Sequence, residues 1–264
     1  MTGIDGCKGG WVAVTLGAAE VRVTAAATLT ALGIDGLAGI DMPLGLVAAG
    51  WRTADLLARR ALGRRGSCVF AIPPRPVWAA PDYPAANLRC RELTGGGLSA
   101  QAWGLRRALL EADQFRRCCA YPLYEVHPEL SFAGLAGAPL RDSKHSAAGL
   151  ALRRALLAQA GIKLPAAMPG AATDDLLDAA AVAWSARRIA VGAAVVLTDP
   201  AQRADDGSRI AIRYLACQNV RTTPCPQLGN VVDGPLTSQE GGRWSIDHIA
   251  AGAGAAVKGC RPSG

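Results

Sequence analysis

The sequence predicts an α/β fold in which a mixed five-stranded sheet is flanked by helices and carries a basic helical insertion. Short apolar segments alternate with stretches of helical periodicity, which is the pattern of such folds. The first three apolar segments are joined by tight turns and should be antiparallel, whereas the later ones need crossovers and should be parallel. The chain has 264 residues, half of them apolar, which is enough to bury a core and excludes disorder over the whole length.

Four of the five strands are expected near the amino terminus, at residues 3–5, 11–16, 21–24 and 37–41. The fourth should end before Pro43, which cannot donate to a ladder. Residues 121–126 predict the fifth strand. Helices are expected over 25–32, 99–115 and 147–160, and from Thr173 or Asp174 as a cap to about residue 191. This mixture of antiparallel and parallel strands is typical of an RNase H-like sheet.

Two segments are expected to lie outside this core pattern. Residues 45–118 read as an insertion into a domain that spans residues 1–214, and residues 215–264 read as a poorly ordered extension rich in glycine and proline. From 52 to 117 the chain carries twelve arginines and five acidic residues, so this stretch accounts for the whole net charge of +7. Such a basic segment indicates nucleic acid, DNA or RNA, as a partner, although an arginine-rich solvated surface would look the same.

Membrane and disulfide-rich classes are disfavoured. The longest apolar stretch, residues 182–197, is interrupted by Arg187 and Arg188, and the chain opens without an apolar signal segment. None of the eight cysteines has CxxC spacing, which disfavours a zinc ribbon or a thioredoxin motif. We therefore expect a cytoplasmic protein without membrane contact.

Acidic residues recur where predicted strands end or the last helix begins. Asp5 ends the first strand, Asp41 ends the fourth and Glu125 ends the fifth, while Asp175 and Asp178 share one face of the helix. Clustered carboxylates repel one another and need cations, and a set of oxygen ligands selects hard metals such as Mg²⁺ or Mn²⁺. Metals held in this way hydrolyse phosphodiesters, so the pattern predicts a metal-dependent nuclease.

Each acid also has a purely structural interpretation. Asp5 beside a glycine could belong to a turn, Asp41 could cap a loop, and Asp174 could cap the last helix. Asp175 and Asp178 could simply complement the positive end of that helix. Glu129 is expected on the surface after a His-Pro pair.

Six segments together resemble the DUF429 family, which is described as predicted nucleases of the RNase H fold; they are residues 3–11, 40–46, 63–70, 94–99, 125–129 and 174–179. The resemblance covers about residues 1–214. One position differs, because Gly96 stands where the family loop leads us to expect a lysine.

The resemblance, together with a likeness of the last helix to RuvC-type resolvases, implies a site. Asp5, Asp41 and Asp178 are the expected metal ligands, and Glu125 and Asp175 are further catalytic candidates. A second group of basic and polar side chains is expected to bind substrate: Lys8, Arg64, Arg65, Ser67, Arg75, His127 and Lys144.

Two other functions remain open from the sequence. The chain could be a non-catalytic nucleic-acid-binding module on the same fold, which would need no metal. It could also be a kinase or ATPase of the actin-like superfamily, which begins with a similar strand, although the chain has no P-loop.

Overall fold

A mixed sheet of seven strands forms the centre of the described part of the chain, residues 1–18 and 20–215 of a computed structural model. The strands are β1 (Thr2–Cys7), β2 (Gly10–Leu16), β3 (Val21–Ala26), β4 (Ala38–Ile40), β5 (Leu123–Val126), β6 (Val195–Arg203) and β7 (Arg209–Tyr214). Their order across the sheet is β3-β2-β1-β4-β5-β7-β6.

Eight α-helices surround the sheet in these residues. They are α1 (Thr53–Leu62), α2 (Arg75–Trp78), α3 (Tyr83–Thr94), α4 (Ala100–Gly104), α5 (Arg106–Cys118), α6 (Pro128–Ala136), α7 (Ala147–Gln159) and α8 (Thr173–Ala190). The single helix expected over 99–115 is two helices, α4 and α5, that meet at Leu105. The helix expected over 25–32 is reduced to one 3-10 turn, Thr30–Leu32, because β3 extends to Ala26.

The predicted strand directions are confirmed. β1 pairs antiparallel with β2, and β2 antiparallel with β3, whereas β1 and β4 are parallel and β4 and β5 are parallel. The α/β class and the flanking helices are likewise confirmed.

The prediction of five strands was wrong, because β6 and β7 form a hairpin that extends the sheet beyond β5. β7 pairs parallel with β5, and β6 pairs antiparallel with β7 around a turn that contains Asp206 and Gly207. Gly207 has a φ of +83°, and Asp-Gly between two apolar runs is a strong hairpin signal. Pro200 obscured this signal; the register shifts between Leu197 and Gln202, the segment that contains the proline.

The sheet is the middle layer of three. Alternate residues of β2 belong to different apolar clusters: Trp11 and Ala13 pack with α2–α5, and Val12 and Val14 pack with α6–α8. Helices α2–α5 therefore cover one face and helices α6–α8 the other, while α1 packs with α6 and the β6–β7 hairpin in a third cluster.

An arginine–aspartate network joins these covering helices to the turn between β6 and β7. Asp113 of α5 is buried and accepts hydrogen bonds from Arg75, Arg116 and Arg117. The same arginines form ion pairs with Asp205 and Asp206. The network holds residues far apart in the sequence, and it neutralises part of the basic excess within the protein.

Glycines let α8 approach the sheet closely. A Cβ at Gly3 would lie 2.0 Å from the Ala183 backbone nitrogen, and one at Gly39 would lie 2.8 Å from a methyl group of Val182. Gly3 and Gly39 are paired residues of β1 and β4. The helix face opposite them carries Ala179, Val182 and Ala183, which are fully buried.

No helix of the described residues is long and apolar enough to span a bilayer. Apart from Leu215, the extension expected at 215–264 lies outside the described residues, as do Cys217, Cys225 and Cys260.

We expect Gly3→Ala to lower the free energy of unfolding by at least about 2 kcal/mol, because its methyl group must displace the backbone of α8. Gly6→Ala in the same strand is the matched control, since a Cβ there meets no atom within 4 Å. Urea unfolding followed by circular dichroism measures both variants. Equal midpoints would contradict the close approach described above.

Candidate metal centre

Asp5 and Asp41 meet because of the register between β1 and β4. Gly3 pairs with Gly39 and Ile4 with Ile40, so Asp5 and Asp41 are the next residues across the two strands. Side chains two residues apart in a strand share a face, and both glycines face α8. Both carboxylates are therefore directed towards α8. Asp41 directly follows β4 as expected, while β1 continues two residues beyond Asp5.

Asp178 completes the group from the first half of α8. It lies one residue before Ala179, whose carbonyl faces Gly3, so the glycine contact sets its position. One carboxylate oxygen from each of Asp5, Asp41 and Asp178 lies within 4.8 Å of the others. Asp178 is 2% exposed and Asp5 is 7% exposed. We call these three residues the carboxylate triad.

Glu125 faces the opposite side of the sheet. It pairs with Ile40 rather than with Asp41, and neighbours in a parallel ladder project to the same face. Its Oε2 accepts a hydrogen bond of 2.7 Å from the Leu44 backbone nitrogen and another from Arg52, which is fully buried. Glu125 thus fixes the loop that follows Asp41 instead of joining the triad.

Asp175 lies beside the triad but caps α8. Its Oδ2 accepts a hydrogen bond of 3.2 Å from the Ala172 backbone nitrogen. Ala172 precedes the first helical residue, so the helix is not capped by Thr173 or Asp174 as the sequence indicated. Asp175 Oδ2 is therefore used at the start of α8, as the structural interpretation of this residue predicts.

Burial makes ionisation of the triad unfavourable. Unit charges about 4.8 Å apart repel by about 3 kcal/mol at an effective dielectric constant of 20. Burial, with a smaller contribution from neighbouring carboxylates, raises the pKa of Asp41 and of Asp178 to about 7. Burial and the charge of Asp41 also raise the pKa of Asp5 well above its ordinary value. The triad is therefore a set of acids that a cation would help to ionise.

Lys144 supplies one positive charge to the triad. Its Nζ lies 2.6 Å from Asp178 Oδ2 and 3.8 Å from Asp174 Oδ2. Burial alone would lower the pKa of Lys144, but the Asp178 carboxylate raises that pKa above its ordinary value. The lysine comes from the loop between α6 and α7, and its side chain is 30% exposed.

The triad fits a hard divalent cation. The second oxygen of Asp178, Oδ1, is buried and has no hydrogen-bond partner among the described residues. A buried carboxylate oxygen without a partner is costly, and a metal ion would satisfy it. The ligands are oxygens alone, and their spread matches a shell with oxygens about 2.1–2.6 Å from the ion. Asp5, Asp41 and Asp178 could therefore hold Mg²⁺ or Mn²⁺.

A cavity of about 730 Å³ opens over the triad. Of the expected substrate-binding residues, five line it: Lys8, Arg65, Ser67, His127 and Lys144. The structure does not bring the other two to the cavity. Arg64 is exposed on the 3-10 turn Gly63–Cys68, and Arg75 is engaged in the arginine–aspartate network.

His127 is held by the main chain around it. Its Nδ1 accepts a hydrogen bond of 3.3 Å from the Glu129 backbone nitrogen at the start of α6, and the ring also hydrogen-bonds the Cys68 backbone. Burial lowers the pKa of His127, so the ring is neutral at neutral pH. These contacts connect α6 to the turn that carries Arg65.

Glu129 is a cavity residue that the sequence interpretation missed. It was expected on the surface, but it is 4% exposed and lines the cavity. Its Oε1 accepts a hydrogen bond of 2.5 Å from Arg153, a fully buried residue of α7, and lies 3.4 Å from Arg65. Within the described chain its Oε2 is buried without a partner. The sequence signal that could have revealed this is Arg153, because an arginine on the apolar face of a helix indicates a buried acidic partner.

We expect the metal-free protein to lose stability as the pH rises from about 4 to about 7. The folded state holds protons on Asp41 and Asp178 up to a pKa of about 7, whereas the unfolded chain loses them near 3.8, so the free energy of unfolding falls across this interval. Urea unfolding in a chelating buffer measures the slope.

Asp178→Asn should make that slope shallower, since Asp41 still contributes, and excess Mg²⁺ or Mn²⁺ should restore stability to the wild type at about pH 8. A wild-type protein whose stability rises over the same interval would contradict the pKa assignment.

Comparison with known proteins assigns the chain to a family. Neither the search of curated proteins nor that of solved structures found a match. A family model described as "Protein of unknown function (DUF429)" matches residues 3–203, a range that includes all three triad residues, the helices between β4 and β5, and α8. The chain therefore belongs to the DUF429 family.

Proposed function

We propose that the protein is a metal-dependent phosphodiesterase that acts on nucleic acid and has an RNase H-like fold. The observation that carries the proposal is the triad itself, three clustered carboxylates of which two are buried and one has an oxygen without a partner among the described residues. The strand order β3-β2-β1-β4-β5, with β2 antiparallel to both neighbours, supports the RNase H-like assignment. When bound, Mg²⁺ or Mn²⁺ would activate a water molecule and withdraw charge from a phosphate oxygen.

The remaining roles fall to the chain's own side chains. Lys8 is exposed in the turn between β1 and β2, and Arg65 reaches the cavity from the 3-10 turn. Both can neutralise a phosphate above the triad. Lys144 holds one oxygen of Asp178 and leaves the other directed away from itself. Glu125, which is paired with Arg52, holds the loop after Asp41 by accepting a hydrogen bond from the Leu44 backbone nitrogen.

Asp178→Asn should abolish Mn²⁺ binding measured by calorimetry and reduce hydrolysis of DNA or RNA at least about a hundredfold, because one of three ligands is lost. The fold should survive, since the repulsion among the three acids falls and Lys144, which loses one partner, is still 3.8 Å from Asp174. Asp35→Asn, at an exposed position away from the cavity, is the matched control. A wild-type protein that binds no Mn²⁺ and cuts no single-stranded, duplex or branched substrate would refute the proposal.

One observation favours the alternative of a nucleic-acid-binding module. Lys144 already provides the triad with a cation, so the site has a partly neutral state without metal. In that case the lysine would be the permanent counter-ion, and nucleic acid would bind without Mg²⁺ or Mn²⁺.

Lys144→Met separates the two functions. If a metal is the native cation, removal of the lysine charge should tighten Mn²⁺ binding about tenfold, since like charges repel across the same carboxylates. Lys163→Met, at an exposed lysine outside the cavity, should leave the affinity unchanged. A Lys144→Met protein that binds no Mn²⁺ while nucleic-acid binding is retained would favour the module.

A further inference from the structure

The triad lies in a recess that is partly open to solvent. Two of its three carboxylates are less than a tenth exposed, and the cavity above them measures about 730 Å³. Sites of about 300–1,000 Å³ enclose most of a small organic ligand. A nucleic acid must therefore bring its phosphate into a recess, rather than lie across an open surface.

The walls of this recess come from segments far apart in the chain. One wall is formed by residues 67–70 after the 3-10 turn and by the junction of α4 and α5 at Leu105 and Ala108. Two further segments line the recess, the β1–β2 turn at Lys8 and the loop at Ser143 and Lys144. A base-paired duplex, whose major groove alone is about 12 Å wide, is far broader than one nucleotide.

The first wall offers an apolar surface to a base. Phe70 and Leu105 are both partly buried and line the cavity, with Ala108 and Val69 beside them. Phe70 packs against the cluster that contains Ile40 and Trp78, so its ring is held in place. Unpaired bases stack on such rings, whereas the bases of an intact duplex are stacked on each other.

The recess is lined by more acidic than basic side chains, so few cationic groups there can contact a phosphate. Arg65 lines the cavity 3.4 Å from Glu129, with its Nε buried and without a hydrogen-bond partner in the described residues, and Lys8 is exposed at the rim. Arg75, Arg116 and Arg117 do not line the recess and are paired with aspartates. Part of the positive charge that seemed to favour a broad nucleic-acid surface is therefore neutralised by ion pairs within the protein.

We propose that the cavity accepts an unpaired nucleotide, from a single strand or a single-stranded end, with a base against Phe70 and a phosphate between Arg65 and the triad. The inference rests on the proposed function and narrows its substrate class. Two cationic contacts, Lys8 and Arg65, should give a shallow salt dependence, since each phosphate contact on a single strand contributes about 0.7 to the logarithmic slope.

Fluorescence anisotropy with the full-length protein in Mg²⁺ tests the inference. The probes are one short sequence as single-stranded DNA, as single-stranded RNA, as a blunt duplex, and as a duplex with a single-stranded overhang. We expect the single strands and the overhang to bind at least about tenfold more tightly than the blunt duplex, with a slope near −1.4. Equal or tighter binding of the blunt duplex, or no binding of any probe, would overturn the inference.

Variants at Phe70 test the stacking wall. Phe70→Leu keeps an apolar side chain in the core but removes the ring, and it should weaken single-strand binding about tenfold. Phe70→Ala should have at least the same effect, provided that its circular dichroism matches the wild type. Tyr121→Ala, at an exposed aromatic outside the cavity, should change nothing. Unchanged affinity of Phe70→Leu would contradict the assignment.

Cleavage of the same probes, followed by gel electrophoresis, separates the two proposals. Preferential binding of single strands without cleavage in Mg²⁺ or Mn²⁺ would leave the cavity inference standing and refute the phosphodiesterase. Cleavage of a blunt duplex as fast as of a single strand would support the phosphodiesterase and refute the inference.

Discussion

The close approach of α8 to β1 and β4 is the constraint on which the site depends. Gly3 and Gly39 lie side by side in the sheet, and the space that their missing side chains leave is filled by Ala179, Ala183 and Val182 of the helix. The same pleat that turns both glycines towards α8 turns Asp5 and Asp41 towards it as well. Packing of small residues thus places Asp178 within an ion's reach of two other acids.

Burial of the clustered acids raises their pKa values, so their ionisation depends on nearby cations. The triad could not remain ionised in such a place without cations, and Lys144 neutralises Asp178 directly. The neighbouring buried acids Glu125 and Glu129 are neutralised by cations of their own, Arg52 and Arg153, from fully buried positions. Because breaking a buried pair leaves an uncompensated charge, these arginines are as important to the shape of the cavity as its own lining.

Much of this arrangement could be predicted from the sequence, because strand ends and helix periodicity are local signals. Asp41 at the end of an apolar run and Asp178 on the last helix needed no knowledge of distant contacts. The role of Glu125 could not be predicted, because it depends on a register one residue different from that of Asp41. Glu129 and Arg75 were misjudged for a related reason: their partners, Arg153 and Asp205, lie far away in the chain.

Helices α2–α5, between β4 and β5, share one apolar cluster with the strands, in which Ile4 and Ile40 of the sheet pack with Val77, Trp78 and Leu109 of the helices. Most of the segment that looks like an insertion in the sequence therefore forms the core on one side of the sheet. These helices could not be excised or grafted as a module, because removing them would expose an entire sheet face to water. Evolution would therefore be expected to vary the cavity through individual wall residues rather than through loss or exchange of the segment.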